Sequence, residues 1–312
     1  MKFDEKDVCS FQNWYPTFKK YTFKSVCIPV PEEVLEYLRK DVVTIPTEAT
    51  IEKVRSENID DITYSNWDSE SEDDDEVETP SFPQFSALLK STLDSFGGSA
   101  FIKMNWSAPT DAAWVATNNC LKCSNLQDAY LLLKCSDKIS RDLMHSNNHY
   151  IVMKKWEDIH PGSEFRCFVI NNELIAITQR SKSEFHRYIL LNKFNIVSDI
   201  KTFFQDIIKN KLLINNFVFD VLWNSGSRIK LVDINTLNSK DVEGYLFTIN
   251  EVLNLKYDED LSPEFRFIGE EIGIQPSNLS QHFGLPVDLT MSSGSNNLVE
   301  LLQTQMDLKS DE

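Results

Sequence analysis

One acid stands among six apolar residues in Phe217-Val-Phe-Asp-Val-Leu-Trp223. An unpaired charge at Asp220 would cost several kcal/mol there, so it requires a partner. Ile229-Lys-Leu-Val-Asp-Ile-Asn235 follows after Asn224-Ser-Gly-Ser, and the two runs read as the arms of a hairpin. A turn centred between Gly226 and Ser227 sets Asp220 opposite Asp233, and strand alternation puts Asn235 on the face of Asp233. Directly opposed Cβ atoms lie about 4.5–5.5 Å apart, so two carboxylates and a carboxamide converge. Facing carboxylates repel unless a cation sits between them or one stays protonated. Such oxygen donors suit a hard ion such as Mg²⁺, which completes its shell with water and nucleotide phosphates. A metal–nucleotide site with Asp220, Asp233 and Asn235 as ligands is expected. The alternative is that Asp220 pairs with an Arg or Lys from elsewhere in the chain.

Other residues fit the same ligand. Lys103 ends an apolar strand after Gly97-Gly98, where a cation could meet phosphates, although no GxxxxGK[ST] pattern is present. Asn105-Trp-Ser-Ala-Pro-Thr-Asp111 reads as a structured loop, with Asp111 an anchor and Trp106 packed rather than stacked on a base. Glu164 and Arg166 share a strand face, and Arg is suited to phosphate or carboxylate; a salt bridge between neighbours is the alternative. Cys120-x-x-Cys123 lacks a second ligand pair at zinc-finger distance. His145 and His149 flank Ser-Asn-Asn, poor helix material, and read as solvated loop residues.

These residues must be positioned by helices mixed with antiparallel hairpins, an α+β pattern. A helix is expected from Pro31 at N1 through Arg39. Phe85 to Phe96 carries apolar residues at helical spacing and stops at Gly97-Gly98. A strand at Ala100–Met104, a helix near Leu126–Leu133 and a strand at Tyr150–Lys155 follow. A first hairpin joins Glu164–Ile170 to Glu173–Arg180 through Asn171-Asn172, residues that tolerate positive φ. A helix is expected around 198–211.

The chain divides accordingly into 1–67, the start of a first lobe; 68–80, an acidic insert; 81–149, the rest of that lobe with the Lys103 strand and loop; 150–260, a second lobe; and 261–312, a partly flexible extension. Residues 68–78 hold eight carboxylates and one apolar residue. That run cannot be buried and reads as a self-repelling loop. Ser69 and Ser71 within it resemble substrates of acidophilic kinases.

The chain has 312 residues and 31 Lys plus Arg against 48 Asp plus Glu, for a net charge of −17. Sequence-independent grip on nucleic acid requires clustered cations, so no direct nucleic-acid partner is expected. No window reaches the 18 or more uncharged residues of a spanning helix. A cytoplasmic monomer without membrane contact is expected.

At this point the chain resembles the cell division cycle protein 123 family, also called D123. The carrying strings are Lys-Met-Asn-Trp-Ser-Ala-Pro at 103–109, Lys-Lys-Trp-Glu-Asp at 154–158, Pro-Gly-Ser-Glu-Phe-Arg-Cys-Phe-Val at 161–169, Gln-Arg at 179–180, Phe-Val-Phe-Asp at 217–220 and Val-Asp-Ile-Asn at 232–235, with Asn-Trp-Tyr-Pro at 13–16. The family is similar to ATP-grasp proteins, whose two α+β lobes clamp ATP and Mg²⁺. The resemblance implies that Lys103 contacts phosphate, with Asn105, Trp106, Ser107, Ala108 and Asp111 in the adjoining loop. It implies an adenine hinge of backbone around Lys154 to Trp156, flanked by Met153 and Asp158. Arg166 would reach the terminal phosphates, with Glu164 and Arg180 among the nucleotide-binding residues, and Asp220, Asp233 and Asn235 would hold the metal.

Two positions depart from the ATP-grasp pattern. Lys154-Lys155 stand where many such enzymes carry acids, and Asp233 stands where the ligases usually have Glu. The family's known role implies an ATP-binding chaperone, without an assigned catalytic residue, that binds the gamma subunit of eukaryotic translation initiation factor 2 and promotes its joining to the alpha subunit. The alternatives are an ATP-grasp ligase working through an acyl phosphate, with Arg166, Arg180 and Lys182 around the substrate, or a scaffold without nucleotide.

Overall fold

Among the described residues nine short strands form two sheets that face a common cleft. The computed structural model describes residues 4–50, 79–116, 119–144, 148–226, 228–237, 243–255 and 262–271. The acidic run at 68–78 with Ser69 and Ser71, His145, and the chain beyond Glu271 lie outside the described residues. The first sheet has the order β1 (Ser25–Pro29), β4 (Tyr150–Lys155), β2 (Ala100–Lys103), β3 (Lys122–Cys123), with every pair antiparallel. The second has the order β8 (Lys230–Thr236), β7 (Phe217–Leu222), β5 (Glu164–Ile170), β6 (Glu173–Gln179), β9 (Glu264–Arg266), antiparallel except for β6 with β9. The α+β class expected from the sequence is the class observed.

Local chemistry sets most boundaries. The helix Pro83–Ser95 begins with proline at its first turn and stops where Gly97 and Gly98 adopt φ of 85° and 79°. Their N–H groups return to Asp94 O and Leu93 O, which satisfies carbonyls the helix leaves open. Asn171 and Asn172, at φ 51° and 61°, make the tight turn between β5 and β6. Two expectations shift. Pro31 caps Glu32–Arg39 from outside, in extended conformation, instead of occupying its first turn. The helix expected at 198–211 starts at Arg187 and runs to Phe203, followed by a π-turn over Phe204–Ile208. Leu190, Leu191 and Phe194 lie on its exposed side, so the apolar period is blurred in its first half.

Helices Glu32–Arg39, Pro83–Ser95, Leu126–Lys134 and Asp137–Leu143 cover the first sheet and share its apolar core. In the second sheet, alternation along β7 sends Phe217, Phe219 and Val221 toward Arg187–Phe203 and turns Val218 and Asp220 to the opposite face. At one end that opposite face is closed by Phe168, Val218, Phe247 and Val252. At the other end it opens on the cleft. The helix Phe11–Phe18 belongs to the second-lobe core: Phe11, Trp14 and Phe18 share one apolar cluster with residues of β5, β7, β8 and the helix Arg187–Phe203, while Lys103 and Lys154 of the first sheet lie over the Phe11 ring. Residues 4–50 therefore contribute to both lobes. The second sheet also recruits β9 from the segment expected to be a flexible extension.

Candidate nucleotide and metal site

The hairpin arms pair Asp220 with Asp233, as the turn argument requires. One step further the register changes, and Val221 meets Leu231. The residue left over is Val232, a bulge whose carbonyl accepts from Lys154 Nζ at 2.7 Å. Lys154 comes from β4 and Val232 from β8, so the bulge joins the two sheets.

Each carboxylate already has a cation. Arg166 Nε and Nη2 grip Asp220 Oδ1 and Oδ2, both at 2.8 Å, from the neighbouring strand β5. This realises the alternative reading of Asp220. Burial alone would raise Asp220, but the charge and hydrogen bonds of Arg166 outweigh it and hold the carboxyl below its ordinary range. Lys103 Nζ reaches across the cleft to Asp233 Oδ2 at 2.6 Å, with Lys103 only 1% exposed. Asp233 Oδ1 is shut from solvent and accepts no hydrogen bond. Lys154 is also buried, and burial drives its amine down to about 7; Asp233 counters this and Lys103 adds to it.

These residues fit a hard cation in three respects. An orphaned carboxylate oxygen is held in place, Asn235 follows on the face of Asp233, and the Asp220 oxygens retain lone pairs beyond those given to Arg166. Among the described residues no group of three or more His, Cys, Asp or Glu could hold a metal. The ion would therefore draw on Asn235 and on oxygens from water and ligand.

The cleft has a volume of about 860 Å³, within the range of small-molecule sites. Of the expected site residues, Lys103, Trp106, Ser107, Ala108, Asp111, Lys154, Lys155, Trp156, Glu164, Arg166, Arg180, Asp220, Asp233 and Asn235 line it. Three do not. Met153 is core of the first lobe. Asn105 is buried and spends its amide on Asn148 O and Tyr150 N. Asp158 accepts from Trp156 Nε1 at 2.9 Å. In the loop after β2, Asp111 is an anchor, accepting from Ser136 Oγ and Lys138 N, while Asp142 accepts from Ser107 N and Oγ. Trp106 is packed, donating to Lys6 O at 2.8 Å. The hinge N–H groups of Lys155 and Trp156 are taken by Lys24 O and Ser99 O. Glu164 pairs with Arg180 at 3.2 Å. Sequence reasoning missed Glu243, Tyr245 and Lys138, which line the same cleft from loops and a helix start; no spacing signal links them to the hairpin.

Comparison with known proteins settles the family. A sequence profile described as D123 matches residues 14–293. The chain belongs to the D123 family. Relatives named "Translation initiation factor eIF2 assembly protein" include one from Xenopus laevis, 34% identical over 329 residues with 97% of this chain and 96% of the relative covered. Another, from Dictyostelium discoideum, is 32% identical over 358 residues and covers 94% and 93% of the two chains. Among solved structures, C-terminally truncated Cdc123 from Schizosaccharomyces pombe superposes with a TM-score of 0.69 at 27% identity, covering 86% of this chain and all of that one. The D123 fold thus extends over both sheets and the cleft between them. Among the described residues no helix is long and apolar enough to cross a membrane.

Proposed function

We propose that this D123 chain binds ATP with Mg²⁺ in the cleft and acts as an assembly chaperone for translation initiation factor 2, holding its gamma subunit and promoting the joining of the alpha subunit. The relatives' names support the assembly role. The nucleotide half is carried by one observation: Lys103 and Asp233 meet across the cleft while Asp233 Oδ1 remains unshared. The two-lobe layout around a cleft also suits the ATP-grasp resemblance. A cytoplasmic setting and a monomeric free state accompany this reading.

Asp233, Asp220 and Asn235 would hold Mg²⁺, which supplies positive charge to the phosphate oxygens. Lys103 and Lys154 point cations into the same space, and Arg166 and Arg180 extend it toward the loop of Tyr245. The acidic chain would repel RNA and favour a basic protein face. The test is a titration of the purified protein with the gamma subunit, with and without ATP and Mg²⁺. Tighter capture with nucleotide, without steady ADP release, is the expected result. Capture indifferent to nucleotide would overturn the coupling, absence of capture would overturn the chaperone role, and ADP release dependent on an added acid and amine would favour a ligase.

The state of Lys154 gives a pH signature. Burial keeps it near 7 in the ligand-free protein, and a polyphosphate favours the charged amine, raising its value. Above pH 7 binding must take up a proton, so affinity should fall as pH rises, with a slope approaching about tenfold per unit. Calorimetry in buffers of different ionisation heat reads the uptake directly. Lys154→Met should remove it, and an unchanged uptake in that variant would assign the proton elsewhere.

A further inference from the structure

Beyond the hairpin, a short turn at 243–247 brings an aromatic ring to the most cationic part of the cleft. Tyr245 stands with Arg166 Cζ 4.8 Å, Arg180 Cζ 5.6 Å and Lys182 Nζ 5.7 Å from its ring centroid. Its hydroxyl accepts from Arg180 Nε at 3.0 Å. The preceding Glu243 gives its carbonyl to Arg166 Nη1 at 2.8 Å and its carboxylate to Lys182 at 2.8 Å. Three cations that repel one another are thereby gathered around one electron-rich ring.

The turn does not require this side chain to hold its shape. Gly244 O accepts from Phe247 N at 3.1 Å, and a Cβ on Gly244 would come within 2.0 Å of Phe247 O. Leu246 O accepts from Arg266 Nη1, and Phe247 is buried against Phe168 under the Arg266 guanidinium. Tyr245 itself is half-buried, outside the core clusters, at φ 56°. Side chains adopt that conformation at a cost. An aromatic residue kept in a strained position, pinned by its neighbours and turned toward cations, has the geometry of a positioning residue.

We propose that Tyr245 positions Arg166, Arg180 and Lys182 so that the cleft selects its nucleotide by the outermost phosphate. The inference rests on the nucleotide reading of the cleft. Arg166 is bonded to Asp220, which faces Asp233, so these cations border the carboxylates that would hold the ion. A triphosphate held at these carboxylates would bring its outermost phosphate to Arg166, Arg180 and Lys182, and a diphosphate would leave that place without an anion. The ring holds the guanidiniums in position before the ligand arrives, which lowers the ordering cost of binding.

The experiment is calorimetric titration of the full chain with ATP, ADP and AMP in excess Mg²⁺, for the unaltered protein, Tyr245→Leu and Tyr245→Phe, with melting curves for each. The unaltered protein should prefer ATP to ADP by about tenfold or more. Tyr245→Leu should lose about five- to tenfold in ATP affinity with ADP changed by less than about twofold. Tyr245→Phe keeps the ring face and loses the acceptor, so it should recover most of the preference at a similar melting temperature. Equal affinity of the unaltered protein for ATP and ADP, or a parallel loss of both in Tyr245→Leu, would overturn the inference and leave the nucleotide site standing. No binding of any of the three nucleotides by the unaltered protein would overturn the reading of the cleft, and the inference with it.

Discussion

Replacing Asp233 by alanine should abolish Mg²⁺-dependent ATP binding, a loss of at least about a hundredfold. The residue has two roles: its Oδ2 neutralises the buried Lys103 ammonium, and its Oδ1 is the one carboxylate oxygen of the pair that is buried without a partner. Alanine removes both. Asp233→Asn separates them, because a carboxamide oxygen can still accept from Lys103 while the charge that attracts a divalent ion is gone. Titrations with Mg²⁺ and with a chelator should therefore differ strongly for the unaltered protein and coincide for Asp233→Asn. Affinity within about twofold of the unaltered protein in both variants would remove the metal assignment.

The second large effect concerns stability. Arg166→Met leaves the Asp220 carboxylate, 4% exposed, without the guanidinium that satisfies both of its oxygens. Removing one partner of a buried pair costs about 3–5 kcal/mol, whereas replacing both with apolar residues of similar volume is often neutral. Arg166→Met alone should shift the denaturant midpoint strongly downward, and the double variant Arg166→Met with Asp220→Leu should recover most of that shift. Neither should bind MgATP. A double variant as unstable as the single one would mean that Arg166 contributes through Glu243 O or its packing instead. The cation that makes Asp220 tolerable in an apolar strand thus also borders the cleft.

The opposition of Asp220 and Asp233 is legible in the sequence because a hairpin is local: one turn and a period of two determine which residues face each other. The bulge at Val232 is not, since nothing in Leu-Val-Asp distinguishes an extra residue from a regular one, and its role emerges only when Lys154 arrives from the other sheet. Arg166 is visible as a candidate, but its partner depends on β5 lying beside β7, an order set by packing of the whole sheet. Lys154 enters the sequence reading only through the resemblance, as hinge backbone, and the burial of its amine in the cleft follows from how the two sheets meet. Lys103 is visible as a cation closing an apolar strand, but its burial against Asp233 depends on how the two sheets face each other. Tyr245 and Glu243 come from an irregular turn after the last long strand, where periodicity offers no signal.

The placement of Phe11, Trp14 and Phe18 bears on how the molecule is made. These side chains are translated well before the strands that share their apolar cluster, β5, β7 and β8. A growing polypeptide must keep Phe11, Trp14 and Phe18 apart from other surfaces until residue 234 has left the ribosome. Closure of the second lobe then joins segments that lie far apart in the message, and a nascent chain halted between them would present those rings to cellular folding helpers.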